Sequence, residues 1–211
     1  MRHTIINIGR SLGSGGYVIA KNIAEHYSFD FYDKELLNLA AQESGLSKEC
    51  FENVDEQQRH GFGSFLMSSF SIFGVRNTHL ENPLSQESLF VIQSKTIKRL
   101  ASERSCVFVG RCADYILRDM PECINIFCYA PLDFRIKTVS QRQSITEDEA
   151  RKLISKVDAS RAEYYNYFTN KTWKGAESYH LLIDTSVFGL ERSAEYLCQY
   201  IDKVIEQREQ K

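Results

Sequence analysis

No apolar run in this 211-residue chain approaches the ~18 residues needed to cross a bilayer, so no membrane partner is expected. It also has no CxxC pair. Its six cysteines (Cys50, Cys106, Cys112, Cys123, Cys128 and Cys198) are scattered, which argues against a zinc site and for reduced thiols in a cytoplasmic protein. Neither sign of charge dominates: at a net −2 there is no basic field to displace phosphate counterions, so no nucleic-acid partner is expected. Strand-like residues begin within four positions of Met1, so no signal peptide is expected. Hydrophobic residues make up 43% and charged residues 26%, enough to bury the core of one domain over 1–211.

Short, nearly continuous apolar runs stand at Thr4–Ile8, Cys106–Val109, Ile124–Tyr129 and Tyr179–Ile183, with a weaker one at Ser28–Tyr32. Runs of this kind suit strands buried on both faces of a parallel sheet. Helical spacing separates them, at Val18–His26, Lys34–Ser44, Gln86–Glu103, Asp133–Arg142, Glu147–Phe168 and Leu190–Gln207. Alternating strands and helices predict a doubly wound α/β fold. Thr146 with Glu149 three later forms a capping-box pattern at the head of the longest central helix, and Asp33 is an N-cap candidate before Lys34. Gly61–Pro83 is rich in Phe, Ser and Gly and nearly free of charge. It reads as a loop covering the core, a flap or a homodimer contact.

The first strand runs into Gly9-Arg10-Ser11-Leu12-Gly13-Ser14-Gly15-Gly16-Tyr17, and then a helix. Glycines let backbone N–H groups converge on an anion, and the helix start adds the positive end of its dipole. Arg10, Ser11, Gly13, Ser14, Gly15, Gly16 and Tyr17 are therefore candidates for holding nucleotide phosphate. One thing is missing. Set against the G-x-x-x-x-G-K-[ST] phosphate loop, Gly16 stands where the lysine belongs and Tyr17 where the magnesium-holding hydroxyl belongs. Arg10 or Lys21 is a candidate replacement charge, although Lys21 also suits a solvated helix face.

Further candidates fall at predicted carboxyl ends of strands, where open α/β sheets bind ligands. Val109-Gly110-Arg111 puts a guanidinium there, to hold a phosphate or to pair with Asp114. After Ala130-Pro131 come two helices dense in arginine, with Arg135, Arg142 and Arg161. Asp158 stands three residues before Arg161, spaced to pair with it. Tyr164, Tyr165 and Tyr167 read as core more readily than as a base-stacking face. His180–Ser186 ends in a polar turn, suited either to an adenine-side loop or to capping of the next helix by Thr185 or Ser186.

In order and spacing these segments resemble the cytidylate-kinase-like family, relatives of the nucleoside monophosphate kinases. The carriers are Gly13-Ser14-Gly15-Gly16, Phe31-Tyr32-Asp33-Lys34-Glu35-Leu36, Val109–Leu117, Ala130–Arg135, Asp158–Tyr165 and Asp184-Thr185-Ser186. The resemblance implies a P-loop NTPase-type three-layer α/β/α fold with a central parallel sheet of about five strands and a helical lid over 133–170. It places an acceptor-binding region over 34–104. It also implies transfer of a phosphoryl group from ATP, with Mg2+, to a small-molecule nucleotide such as CMP. On this basis the loop amides cradle the donor phosphates, while Arg135, Arg142, Arg161 and Asp158 form the catalytic group. Asp33, Arg111 and Asp114 face the acceptor, and Asp184 and Thr185 lie on the adenine side. Cytidylate kinases proper carry Lys and Ser/Thr in the loop and Gly-Arg-Asp where this chain has Gly110-Arg111-Cys112. A nucleotide-binding regulatory module without turnover is the alternative.

Overall fold

The computed structural model describes residues 3–33 and 86–210. The segment 61–83, the helix predicted from Lys34, Cys50 and most of the 34–104 region lie outside the described residues. Five strands form one parallel sheet: β1 (Ile5–Arg10), β2 (Asp30–Tyr32), β3 (Cys106–Val109), β4 (Cys123–Tyr129) and β5 (Leu181–Asp184). Their order is β2-β3-β1-β4-β5. The connections reverse direction at β1, which pairs with β3 on one side and β4 on the other. Such a reversal opens a crevice at the carboxyl ends of the strands.

The apolar runs are nearly unbroken because both faces of the sheet are covered. Ile6, Ile8, Val107, Val109, Ile124 and Ile126 point to one side, into a core shared with α1 (Gly16–Tyr27) and α6 (Thr185–Glu209). Ile5, Cys106, Phe108 and Cys123 point to the other side. There they meet α2 (Gln86–Glu103), the one-turn helix α3 (Ala113–Ile116) and Tyr165 from α5 (Glu147–Thr169). This is the two-residue alternation of a strand, with apolar residues at both phases. The result is the expected three-layer α/β/α arrangement. The five cysteines among the described residues are buried and free. Burial pushes the thiols of Cys106, Cys123 and Cys128 up to about 12.

A third, smaller core joins the helical hairpin of α4 (Leu132–Gln143) and α5 to the first loop. Leu12 inserts among Ile136, Val139, Ala150, Ile154 and Val157. The capping box at the head of α5 forms as expected: Thr146 and Glu149 each accept from the other's backbone N–H. Element ends shift by a residue or two from the sequence expectation, and two differences are larger. Helix α6 begins at Thr185 rather than Leu190, because Asp184 caps it and the chain passes through a non-helical Gly189 (φ 75°, ψ 177°) before continuing. Helix α3 is four residues long, too short to show a period.

Candidate functional site

Helix α1 starts at Gly16 behind a left-handed Gly15 (φ 75°) that offers no side-chain cap, and its first turn carries no acidic residue. The first N–H groups of a helix have no partner within it, so this end is left to be satisfied by something negative. The loop is fixed from behind. The Ser14 hydroxyl turns inward to the carbonyls of Ser11 (2.9 Å) and Cys128 (3.0 Å). Ser11 N–H also donates to the Cys128 carbonyl. Both serines are buried. A Cβ at Gly15 would collide with Leu190, and one at Gly13 (φ 82°) would press on Arg135 and Val139. The Tyr17 ring packs edge-on against Phe31. Within this loop the side chains therefore build the shape, and the backbone is what a phosphate would meet.

Asp158 does more than sequence spacing predicted. It accepts from Leu12 N–H (2.9 Å), from Arg135 (2.7 Å) and from Lys174 (3.4 Å). Arg135 in turn donates to the Leu12 carbonyl (3.2 Å), so one ion pair clasps both sides of the Leu12 peptide. Asp158 thus bridges the loop, α4 and the segment after α5. Its close partner is Arg135, 23 positions away, rather than the expected Arg161. Arg142 is exposed near the end of α4 and lies outside the cleft lining. Lys21 is exposed and paired with Glu25 along its own helix.

Three of the candidate arginines converge. Arg10, Arg111 and Arg161 line one cleft at the carboxyl ends of β1 and β3. Arg10 donates to the Val109 carbonyl (3.3 Å) and stands 3.8 Å from Asp33, which is buried at the end of β2. Arg161 reaches in from α5 to donate to the Arg10 carbonyl (2.9 Å). Burial and the mutual repulsion of these charges hold the Arg10 and Arg161 guanidiniums below their ordinary value, with Asp33 and Asp158 opposing. Residues Gly110, Arg111 and Cys112 all have positive φ (74°, 61° and 55°). Two of them are not glycine, a strained run of the sort found at binding sites. It is held in place by Gln93, which donates to the Arg111 carbonyl (3.1 Å).

Asp114 lies at the base of the cleft. Its partner is the Tyr165 hydroxyl, which donates to it at 2.6 Å. Burial raises the Asp114 carboxyl above its ordinary value, the Tyr165 hydrogen bond pulling the other way. Tyr165 is core, as expected, but Tyr167 is exposed, because its side of α5 faces solvent. Tyr164, Trp173 and Tyr179 join Tyr165 in lining the cleft. Trp173, Tyr179 and Asn7 were not anticipated. Asn7 carried a signal: it is a polar residue inside an apolar strand, and it donates to Asn125 across the sheet at 3.3 Å. Past β5, at the same carboxyl edge, Thr185 is buried and donates to the Ser14 carbonyl (2.7 Å). The N-cap of α6 is Asp184, which accepts from Ser186, rather than Thr185 or Ser186.

No group of three or more His, Cys, Asp or Glu side chains that could hold a metal occurs among the described residues. Magnesium, however, needs few protein ligands when phosphates supply the rest. Asp33 fits that part, because its buried Oδ1 has no hydrogen bond among the described residues.

The model of the cytidylate kinase-like family matches residues 5–187. A cytidylate kinase of Methanocaldococcus jannaschii is 25% identical over 207 residues, covering 95% of this chain and 98% of that protein. A cytidylate kinase of Methanopyrus kandleri is 23% identical over 214 residues, covering 97% and 96%. Among solved structures, an uncharacterized protein of Eubacterium ventriosum has a TM-score of 0.69 at 28% identity, covering 95% of this chain and 99% of that one. The shikimate kinase of Bacteroides thetaiotaomicron has a TM-score of 0.53 at 13% identity, covering 94% and 98%, a likeness of fold alone.

Proposed function

We propose, because this chain belongs to the cytidylate kinase-like family, that it transfers the γ-phosphoryl group of ATP to a small phosphorylated acceptor, a nucleoside monophosphate such as CMP. The observation that carries this reading is the convergence of Arg10, Arg111 and Arg161 on a cleft beside an uncapped helix start. Backbone amides of Gly13–Gly16 hold the donor's β-phosphate. Arg111 holds the acceptor phosphate, for which a planar guanidinium offers two parallel hydrogen bonds. Arg161 stabilises charge on the group in flight, Asp114 lies on the acceptor side, and Arg142 approaches only if the hairpin closes further. Arg135 and Asp158 serve by setting the loop through Leu12.

In the reaction an acceptor phosphate oxygen forms a bond to the γ-phosphorus as the bond to the β–γ bridging oxygen breaks. ADP leaves with that electron pair. Little covalent chemistry falls to the protein, which works by position and charge. Asp33 would help hold magnesium entering with the nucleotide, which when bound would supply charge neutralisation at the donor phosphates. The aromatic walls at Tyr164, Trp173 and Tyr179 suit a base or sugar and help exclude water.

The test is ADP formation from ATP and Mg2+ against CMP, dCMP, UMP, AMP and GMP, with Arg161→Ala as the control for contaminating kinases. Acceptor-dependent turnover is expected, and removing one such transition-state donor lowers it on the order of 10² to 10³. Tight ATP binding without turnover on any acceptor would instead favour the non-catalytic nucleotide-binding module.

A further inference from the structure

We propose that Arg10 is the cation that replaces the missing loop lysine, and that it contacts the γ-phosphate of the bound nucleotide from the β3 side of the loop. The inference rests on the phosphoryl-transfer reading and adds to it which side chain does the lysine's work and why Gly16 cannot. A Cβ at Gly16 would stand 2.6 Å from the Arg10 Cβ and 3.0 Å from the Cys128 Cβ. The stem of Arg10 therefore occupies the space from which a side chain at position 16 would depart, and each arrangement excludes the other.

The path of Arg10 is built along its whole length. It leaves β1 over Gly16 and crosses Gly110, where a Cβ would collide with its Nη1. At its tip it is steered by the Val109 carbonyl at 3.3 Å and by Asp33 at 3.8 Å. Only 15% of the side chain is exposed, so the guanidinium is held in place rather than sampling solvent. It shares the cleft with Arg111 and Arg161. The other replacement, Lys21, is ruled out by position: its side chain is 59% exposed and paired with Glu25. A guanidinium presents five N–H donors, and the Val109 carbonyl takes one of them. A charge so placed lies between the loop amides, where the donor phosphates would rest, and Arg111, where the acceptor phosphate would rest. That is the span the γ-phosphoryl group must cross.

The decisive experiment compares ATP with ADP, because the two differ only in the phosphate that Arg10 is inferred to touch. Calorimetric titration of the full chain with Mg·ATP and Mg·ADP should show ATP bound more tightly. Arg10→Met keeps the length and removes the charge. It should weaken ATP binding about tenfold or more, as expected for loss of a charge-assisted hydrogen bond, and leave ADP binding within about twofold. Gly110→Ala moves the guanidinium without altering it and should weaken ATP in the same direction. Gly16→Lys alone should lower the melting temperature, whereas Arg10→Gly combined with Gly16→Lys should regain part of the preference for ATP that Arg10→Gly loses.

An ATP preference that survives Arg10→Met overturns the inference, as does a wild-type chain that does not distinguish ATP from ADP. Turnover measured alongside separates the two levels. If Arg10→Met turns over like wild type, the inference fails and the kinase reading stands. If the wild type never turns over but holds the γ-phosphate through Arg10, the kinase reading fails and the inference stands.

Discussion

β3 and β5 both end at the carboxyl edge of the sheet, and their ends are finished in opposite ways. Past β5 the polar groups bond locally or inward: Asp184 caps α6, and Thr185 reaches the carbonyls of Ser14 and Tyr129. Past β3 the chain takes three successive positive-φ residues and presents Arg111 to a cleft already holding Arg10 and Arg161. One end uses its hydrogen bonds to fasten the phosphate loop from behind. The other accepts backbone strain and crowded positive charge, which is tolerable when an anion completes the arrangement. Location at the carboxyl edge is thus not what distinguishes a ligand end from a structural one. The difference lies in charge: three guanidiniums gather at the β3 end, whereas past β5 the neutral Thr185 hydroxyl closes on backbone carbonyls.

The largest effect should come from Arg111→Gly, which removes the charge and relieves a φ of 61°. Turnover with a nucleoside monophosphate should fall on the order of 10² to 10³, while stability holds or rises by about 1 kcal/mol. Steady-state kinetics beside a denaturant titration would show it. Unchanged kinetics would make the β3 end as structural as the β5 end.

Next in size is Asp158→Ala, which unclasps the loop from the hairpin and leaves Arg135 without its carboxylate. Removing one member of a largely buried pair costs about 3 kcal/mol. The loss should be visible in the melting temperature before any kinetics are read. A loss below about 1 kcal/mol would mean that Leu12 is set by its packing among Ile136, Val139 and Val157 alone. Smaller again is Thr185→Val at the β5 end, which keeps the shape and removes the donor to Ser14 and Tyr129. It should cost about 1 to 2 kcal/mol. A similar weakening of ATP and ADP binding is expected, since Thr185 supports the loop from behind and does not face the γ-phosphate. A change in the acceptor's KM alone would break the contrast between the two ends.

The sheet could be read from the sequence because each strand carries its own signal. Cys106–Val109 is four apolar residues in a row, and the structure buries all four. The cap at Thr146 was equally legible, its partner being three residues away. What escaped depends on distant residues. That Asp158 would take Arg135 rather than Arg161 depends on how α4 folds back along α5. That Arg10 would lie across Gly110 depends on β1 pairing with β3, a hundred positions later. The arginines themselves stood out by residue type and by their place after strands. Their convergence is a property of the sheet order.

The smallest effect concerns the carboxylate beneath the β3 end. Burial holds the Asp114 carboxyl above its ordinary value, against the pull of the Tyr165 hydroxyl at 2.6 Å. The folded chain therefore keeps this proton at pH values where the unfolded chain has lost it. Its contribution to stability is fully present below the ordinary carboxylate range and is lost as pH rises through the raised value. Asp114→Asn retains an oxygen to accept from Tyr165 and has no proton to lose. Its melting temperature should match wild type below the ordinary carboxylate range and exceed it increasingly as pH rises through the raised value. Parallel curves would show that Asp114 is hydrated enough to ionise without cost, which would open the cleft floor to water. Diverging curves would mean that the arginine cleft rests on a carboxyl kept largely neutral. In that case the three guanidiniums are offset by Asp33 and Asp158 rather than by Asp114, and an incoming phosphate would add to that balance.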